Sequence, residues 1–319
     1  MPMKLKVWGS RGSIPVSDYP DTVWKRTHSL LEDFQQSGMS PDDYLKSKDF
    51  TSITGFGGNT TCVQLTTNSG SSLIIDGGSG LRSLGMSQLG GDLGKGKGEA
   101  HIYLTHYHWD HLVGLPFYVP FYIPGNKIHV YSVCEDLEKC FEILFQKPYF
   151  PVPFNVIKAQ ITFHQIEPRK PFKIGDLTAT PYQLDHPDPC WGLKINGDGK
   201  NFAHCVDTEG TRISREKLGE DLPLYQGIEL MYFDAQYDFN DHLNKVDWGH
   251  SASQIGLDLA MREGIKRVLF THHDPAASTE QITDMKKDTQ RYFIEQRKAK
   301  ETLFPVEWDF AYDGMEVEI

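Results

Sequence analysis

Thr105-His106-Tyr107-His108-Trp109-Asp110-His111 follows the apolar run Ile102-Tyr103-Leu104 without a break. That run reads as a strand, which puts the cluster at a strand's carboxyl end. Packing so many imidazoles together is unfavourable once they protonate, whereas a metal ion takes them neutral. His106 and His108 are two apart, so extended backbone points them the same way and one ion can take both. Asp110 and His111, where the chain turns into a helix, can serve a neighbouring ion. Mixed imidazole and carboxylate donors suit borderline metals of hydrolytic sites, zinc or manganese.

Further ligands stand at other strand ends. Runs 191–195 and 202–206 flank Asn196-Gly197-Asp198-Gly199-Lys200, a hairpin turn signal. An antiparallel hairpin returns to where it began, so His186 before it and Asp207 after it meet on one side of the sheet. A carboxylate there could bridge two ions. Strand 268–270 ends in Thr271-His272-His273-Asp274-Pro275, where His272 and His273 compete for the same rim. Gly249-His250-Ser251-Ala252-Ser253-Gln254 opens a helix, and Ser251 with Gln254 has capping-box spacing. His250 then sits just outside a helix amino terminus, free to give a proton to a leaving group.

Outward from these motifs the chain is ordinary for a globular protein. Its 319 residues are 39% hydrophobic and 24% charged, enough for one large domain with insertions or for two modest domains. Leu5 and Val7 alternate with Lys4 and Lys6 as a half-buried strand, which ends in Gly9-Ser10-Arg11-Gly12-Ser13. Residues 18–56 turn polar and helical and read as an insertion, since strand character resumes only at 62–65. Two aromatic, proline-rich stretches, 117–124 and 145–154, flank a strand at 128–130 and an amphipathic helix carrying Leu137, Cys140, Phe141 and Leu144. Further strands are read near 178–182 and 230–233, and a helix at about 252–263. The expectation is a mixed α/β architecture, one domain over 1–319, with no linker dividing it.

The 5 cysteines lack a CxxC pair, so free thiols are expected rather than a disulfide framework or an all-cysteine zinc site. The net charge is −11, from 43 Asp+Glu against 32 Lys+Arg, with no local basic patch; long nucleic acid is disfavoured as a partner. A small anion is not, because metal ions supply the missing positive charge. The first strand begins almost at once, leaving no room for a signal peptide, and no run approaches a membrane span. A soluble, cytoplasmic protein is expected.

Taken together, His106, His108, Asp110, His111, His186, Asp207 and His272 resemble the ligand series of the metallo-β-lactamase superfamily. Asp76, ending the strand Leu73-Ile74-Ile75, matches its first motif, an aspartate supporting the metal rim. The resemblance implies an αββα four-layer sandwich and prefers His272 over His273. Gly9 to Pro15, Leu115-Pro116-Phe117 and Gly249-His250-Ser251 are similar to the phosphodiesterase branch, which includes ribonuclease Z, class II cyclic-nucleotide phosphodiesterases and the cyclic phosphodiesterase of phosphonate breakdown. By that resemblance His106, His108 and His186 hold one ion, Asp110, His111 and His272 the other, and Asp207 bridges them. His250 assists the leaving oxygen. The interval from His186 to Asp207 has no space for the tRNA-gripping arm of ribonuclease Z, and resembles the small-substrate enzymes instead.

The function expected is hydrolysis of a small phosphodiester, cyclic ones included, with two divalent ions: zinc first, manganese or iron as alternatives. His250, Asp110 and Asp234 are the expected catalytic groups, Asp234 orienting His250. Ser10, Arg11, Asn59 and Thr60 are expected at the substrate wall with aromatics of 117–154, whose exposed part also suggests a homodimer. The rival readings are a thioester or lactam hydrolase on the same fold, a flavo-diiron-type oxidoreductase, and a non-catalytic, metal-stabilised binding protein. The oxidoreductase would want an acidic residue at His108 and a flavin domain.

Overall fold

The computed structural model describes residues 2–300 and 302–319. Its strands are β1 (Lys4–Gly9), β2 (Cys62–Thr66), β3 (Ser72–Ile75), β4 (Glu99–Leu104), β5 (Lys127–Ser132), β6 (Gln160–Gln165), β7 (Phe172–Ile174), β8 (Leu177–Gln183), β9 (Trp191–Gly197), β10 (Lys200–Cys205), β11 (Leu230–Asp234), β12 (Arg267–Thr271), β13 (Glu307–Phe310) and β14 (Glu316–Glu318). They form two seven-stranded sheets, in the orders β14-β1-β2-β3-β4-β5-β6 and β13-β12-β11-β10-β9-β8-β7. The α-helices are α1 (Pro20–Ser37), α2 (Pro41–Ser47), α3 (Phe50–Thr54), α4 (Gly80–Ser87), α5 (Leu137–Leu144), α6 (Arg215–Leu218), α7 (Phe239–Asn244), α8 (Ser253–Glu263) and α9 (Thr279–Ala299).

Three cores separate four layers. Between the sheets lie Leu5, Val7, Leu65, Ile75, Leu193, Phe202 and Tyr232. Outside the first sheet, Leu81 and Leu84 of α4 and Phe141 of α5 cover Ile102 and Val130. Outside the second, Leu257 and Ala260 of α8 and Ile282 of α9 cover Phe233 and Phe270. β11 is buried at every position because both its faces are covered. This is the αββα sandwich of the metallo-β-lactamase fold.

Topology puts the chemistry on one rim. β3, β4 and β5 are parallel, as are β10, β11 and β12, so their carboxyl ends gather on one side in each sheet. The β9–β10 hairpin closes through Asp198 (φ 49) and Gly199 (φ 72), the left-handed pair that a two-residue turn requires. Register Gly197↔Lys200 brings its two open ends level, beside His186 and Asp207.

The aromatic region differs from expectation. Tyr118, Phe121, Phe141 and Phe145 are core residues, packed edge to face, so they are not a substrate wall. All five cysteines are free; Cys62, Cys190 and Cys205 are buried, while Cys134 and Cys140 are partly accessible. Among the described residues no helix is long and apolar enough to cross a membrane.

Candidate metal centre

Six side chains from three segments gather around the carboxylate of Asp207. Oδ2 lies 3.3 Å from His106 Nε2 and 3.9 Å from His186 Nε2. Oδ1 lies 3.2 Å from His111 Nε2 and 3.0 Å from His272 Nε2. Asp110 Oδ2 is 3.1 Å from His272 Nε2 and 3.6 Å from His111 Nε2. His108 is half exposed, and its Nε2 lies 2.9 Å from Asp188 Oδ2. Two sets result, His106–His108–His186–Asp207 and Asp110–His111–Asp207–His272, each with ligand atoms within 4.8 Å of one another.

These residues are hard to account for as self-contained packing. His106 Nε2, His111 Nε2 and both Asp207 oxygens are buried without a hydrogen-bond partner. Each such group costs about 1–3 kcal/mol, so their convergence is unfavourable unless a cation takes them up. Burial pushes His106 down to about 4, helped by neighbouring His111. In His272 burial is outweighed by Asp207, Asp110 and Asp234, which hold the ring up at about 9. Asp207 is held well below the ordinary carboxylate range, burial being overcome by His272 and His111. A pocket of ionised carboxylates asking for positive charge is a fit for divalent cations.

Backbone strain fixes the rim. Asp76 (φ 64), Asp207 (φ 62) and His272 (φ 65) all adopt left-handed conformations within two residues of the carboxyl ends of β3, β10 and β12. Such positions cost about 1–3 kcal/mol each for residues other than glycine and cluster where geometry is functional. The ligands are also oriented from behind. Asp76 Oδ2 lies 2.9 Å from His111 Nδ1, and Thr105 donates its N–H to Asp76 Oδ1. His186 Nδ1 donates to the carbonyl of Asp188. Carboxylates and carbonyls of this kind set the tautomer and angle of a metal-binding imidazole.

His250 stands between these ligands, its ring 4.9 Å from that of His272 and 6.4 Å from that of His186. Its Nδ1 is 3.0 Å from Asp234 Oδ2. Asp234, His250, His272 and Asp207 are themselves close enough to count as a third possible ligand set. The hydrogen bonds argue for a different role: Asp234 Oδ1 accepts from Gln236 N and Ser251 N, and Oδ2 from Asp207 N and His250. With both oxygens occupied, Asp234 is a positioning group.

Several expectations need correction. Helix α8 starts one residue later than a Ser251–Gln254 capping box requires; Ala252 is its N-cap, without a side-chain bond, and Ser251 N is spent on Asp234. Ser10, Arg11 and Thr60 are buried, and their side chains tie protein segments together rather than lining an open wall. Ser10 Oγ donates to Phe56 O and Asp313, and Arg11 donates to the carbonyls of Gly57, Asp274 and Ala277. Thr60 Oγ1 accepts from Ser79 N, and Asn59 Oδ1 accepts from Ser79 Oγ. The glycine-rich turn instead serves the rim: Ser13 N donates to Asp110 Oδ2 at 2.7 Å, and a Cβ at Gly12 would fall 2.6 Å from His272 Nδ1. His273 is engaged elsewhere, with Nε2 on the Ala311 carbonyl and its ring stacked on Phe310. Sequence reasoning missed Ser13, Thr105, Asp188 and Gly249, where a Cβ would strike the His186 ring at 2.3 Å. Asp188 was findable, since a carboxylate two residues from a ligand histidine is a natural orienting partner.

The pattern of the β-lactamase superfamily domain matches residues 73–273. The chain belongs to that superfamily. Among its relatives is a ribonuclease Z of Azobacteroides pseudotrichonymphae, 23% identical over 230 residues that cover 60% of this chain and 75% of the other. Yeast PDE1 superposes with a TM-score of 0.63 at 13% identity, covering 100% of this chain and 99% of its own. A diphosphatase of the PhnP family superposes with a TM-score of 0.58 at 18% identity, covering 99% and 98%.

Proposed function

We propose that the chain is a binuclear metal-dependent phosphodiesterase acting on small phosphodiesters, cyclic ones included. The observation that carries this reading is the Asp207 carboxylate, whose two oxygens address two separate sets of histidines. His106, His108, His186 and Asp207 Oδ2 would hold one divalent ion; Asp110, His111, His272 and Asp207 Oδ1 would hold the other. Zinc suits these donors best, with manganese or iron as alternatives. When bound, two such ions supply a nucleophile at neutral pH and neutralise the charge on the phosphoryl oxygens.

The protein's own part is proton and charge management. Asp234 holds His250 by Nδ1, which leaves Nε2 to carry a proton to the departing oxygen. The buried carboxylate compensates the charge that the ring carries before it gives that proton up. Asp110 is fixed by Ser13 N and His272, within the set that would hold the second ion. The preference for small substrates is supported by the His186–Asp207 interval, which holds only the β9–β10 hairpin, and by the net charge of −11.

The test is elemental analysis of purified protein, followed by a panel of bis(p-nitrophenyl) phosphate, nitrocefin and a glutathione thioester with zinc and with manganese. Two ions per chain and turnover of the diester alone are expected. Preference for the lactam or the thioester, or a chain that binds no metal, would overturn the reading.

A further inference from the structure

His272 is engaged at one ring nitrogen and open at the other. Its Nε2 faces Asp207 Oδ1 at 3.0 Å and Asp110 Oδ2 at 3.1 Å, the side on which a cation would sit. An imidazole that gives Nε2 to a metal keeps its proton on Nδ1, and that N–H needs an acceptor. Asp234 Oδ2 lies 3.5 Å away and already takes Asp207 N and His250 Nδ1. His272 Nδ1 is buried without a hydrogen-bond partner.

A second orphan lies beside it. Gln236, two residues beyond β11, is buried, and its Oε1 is also without a partner. A Cβ on Gly12 would fall 2.6 Å from His272 Nδ1 and 2.5 Å from Gln236 Oε1. Donor and acceptor therefore flank one spot that only glycine leaves open, a gap that a small rotation of the amide or a single bridging water closes. Buried polar atoms are costly to leave unpaired, which favours their meeting.

The far end of the amide fixes its sense. Nε2 lies 3.4 Å from Ser13 Oγ and 3.5 Å from Tyr237 Oη. The reversed amide would set its NH2 against the ring N–H. Ser13 in turn donates its N–H to Asp110 Oδ2. Gln236 thus reaches two members of one ligand set, His272 directly and Asp110 through Ser13.

We propose that Gln236 is a positioning residue for one ion only. Its amide oxygen accepts the Nδ1 proton of His272, fixes the tautomer that offers Nε2, and so tightens the Asp110–His111–Asp207–His272 set. This role, which rests on the binuclear reading above, also gives Gly12 a reason: a side chain there would push the two partners apart.

The decisive measurement is metal retention rather than turnover. Zinc-loaded full chain is challenged with increasing EDTA, and the ions left per chain are counted by elemental analysis, with circular dichroism confirming that each variant folds. The wild type is expected to start with two ions. Gln236→Met keeps the length of the side chain but offers a thioether, a poor acceptor. It should lose one ion at about 10–100-fold weaker competition, the penalty typical when a ligand's orienting partner is removed, and hold the other as the wild type does. Gln236→Glu keeps an acceptor in the same place and should retain both ions at least as well as the wild type. Equal weakening of both ions in Gln236→Met, no weakening of either, or a Gln236→Glu variant as leaky as Gln236→Met would each overturn the proposal while leaving the binuclear reading intact. A wild type that never holds two ions would overturn both.

Discussion

Two groups of histidines lie along the first sheet, and only one of them is built for a metal. His106, His108 and His111 follow the carboxyl end of β4, where buried ring nitrogens and the Asp207 oxygens face one another without partners. His101, His129 and His164 lie within β4, β5 and β6, half-buried on one face. There the polar atoms are shared out: His129 Nδ1 bonds His164 Nε2 at 2.9 Å, His101 Nδ1 bonds Tyr131 Oη at 3.0 Å, and His129 Nε2 lies 3.2 Å from Glu99. No member of this second group belongs to a ligand set among the described residues. Density of imidazoles does not make a metal site. Unsatisfied donors aimed at a buried carboxylate do.

The largest effect that would break this distinction is expected at Asp207. Asp207→Ala should lose bound metal and reduce diester turnover by at least about 10³-fold, beyond the 10–100-fold typical of a group that only orients a ligand. Full metal content by elemental analysis, with turnover retained, would mean that Asp207 is as ordinary as Glu99. Next comes His250→Ala, which should keep both ions yet lower kcat by roughly 10²–10⁴-fold. Loss of metal in that variant would move His250 into the ligand set and Asp234 with it. Asp234→Asn is expected to cost less, about 10–100-fold in activity or metal affinity, because the amide keeps the shape but not the charge behind His250 and His272.

How far the site could be read from sequence follows from the same geometry. His106, His108, Asp110 and His111 were legible because a strand end fixes the relative direction of residues so close together. His186 and Asp207 were legible through the hairpin between them, whose turn residues set the register. Ser10, Arg11 and Thr60 were misread because a polar side chain in a turn looks the same whether it meets a ligand or ties loops together. Their partners, Asp313, Asp274 and Ala277 among them, lie far along the chain. The pairing of β14 with β1 spans nearly the whole sequence, and no local pattern announces it. The second histidine group was invisible for a related reason: its members come together only through the register of three parallel strands.

The smallest effect sharpens the comparison from the other side. Burial lowers His101 and His164 from the ordinary histidine value, with neighbouring His129 adding to both. The unfolded chain therefore takes up protons first as pH falls through about 6.5, and the folded face resists them. Stability contributed by the neutral rings is present above that pH and is lost below the unfolded value. His101→Gln/His164→Gln replaces both rings with groups that do not titrate. Metal content and turnover should stay at wild-type levels, while the fall in Tm between pH 7.5 and 5.5 becomes shallower than in the wild type. An unchanged slope would mean that these rings do not resist protonation in the fold. A lost ion would mean that the second group is a metal site after all, and that partnered nitrogens are no guide to where cations bind.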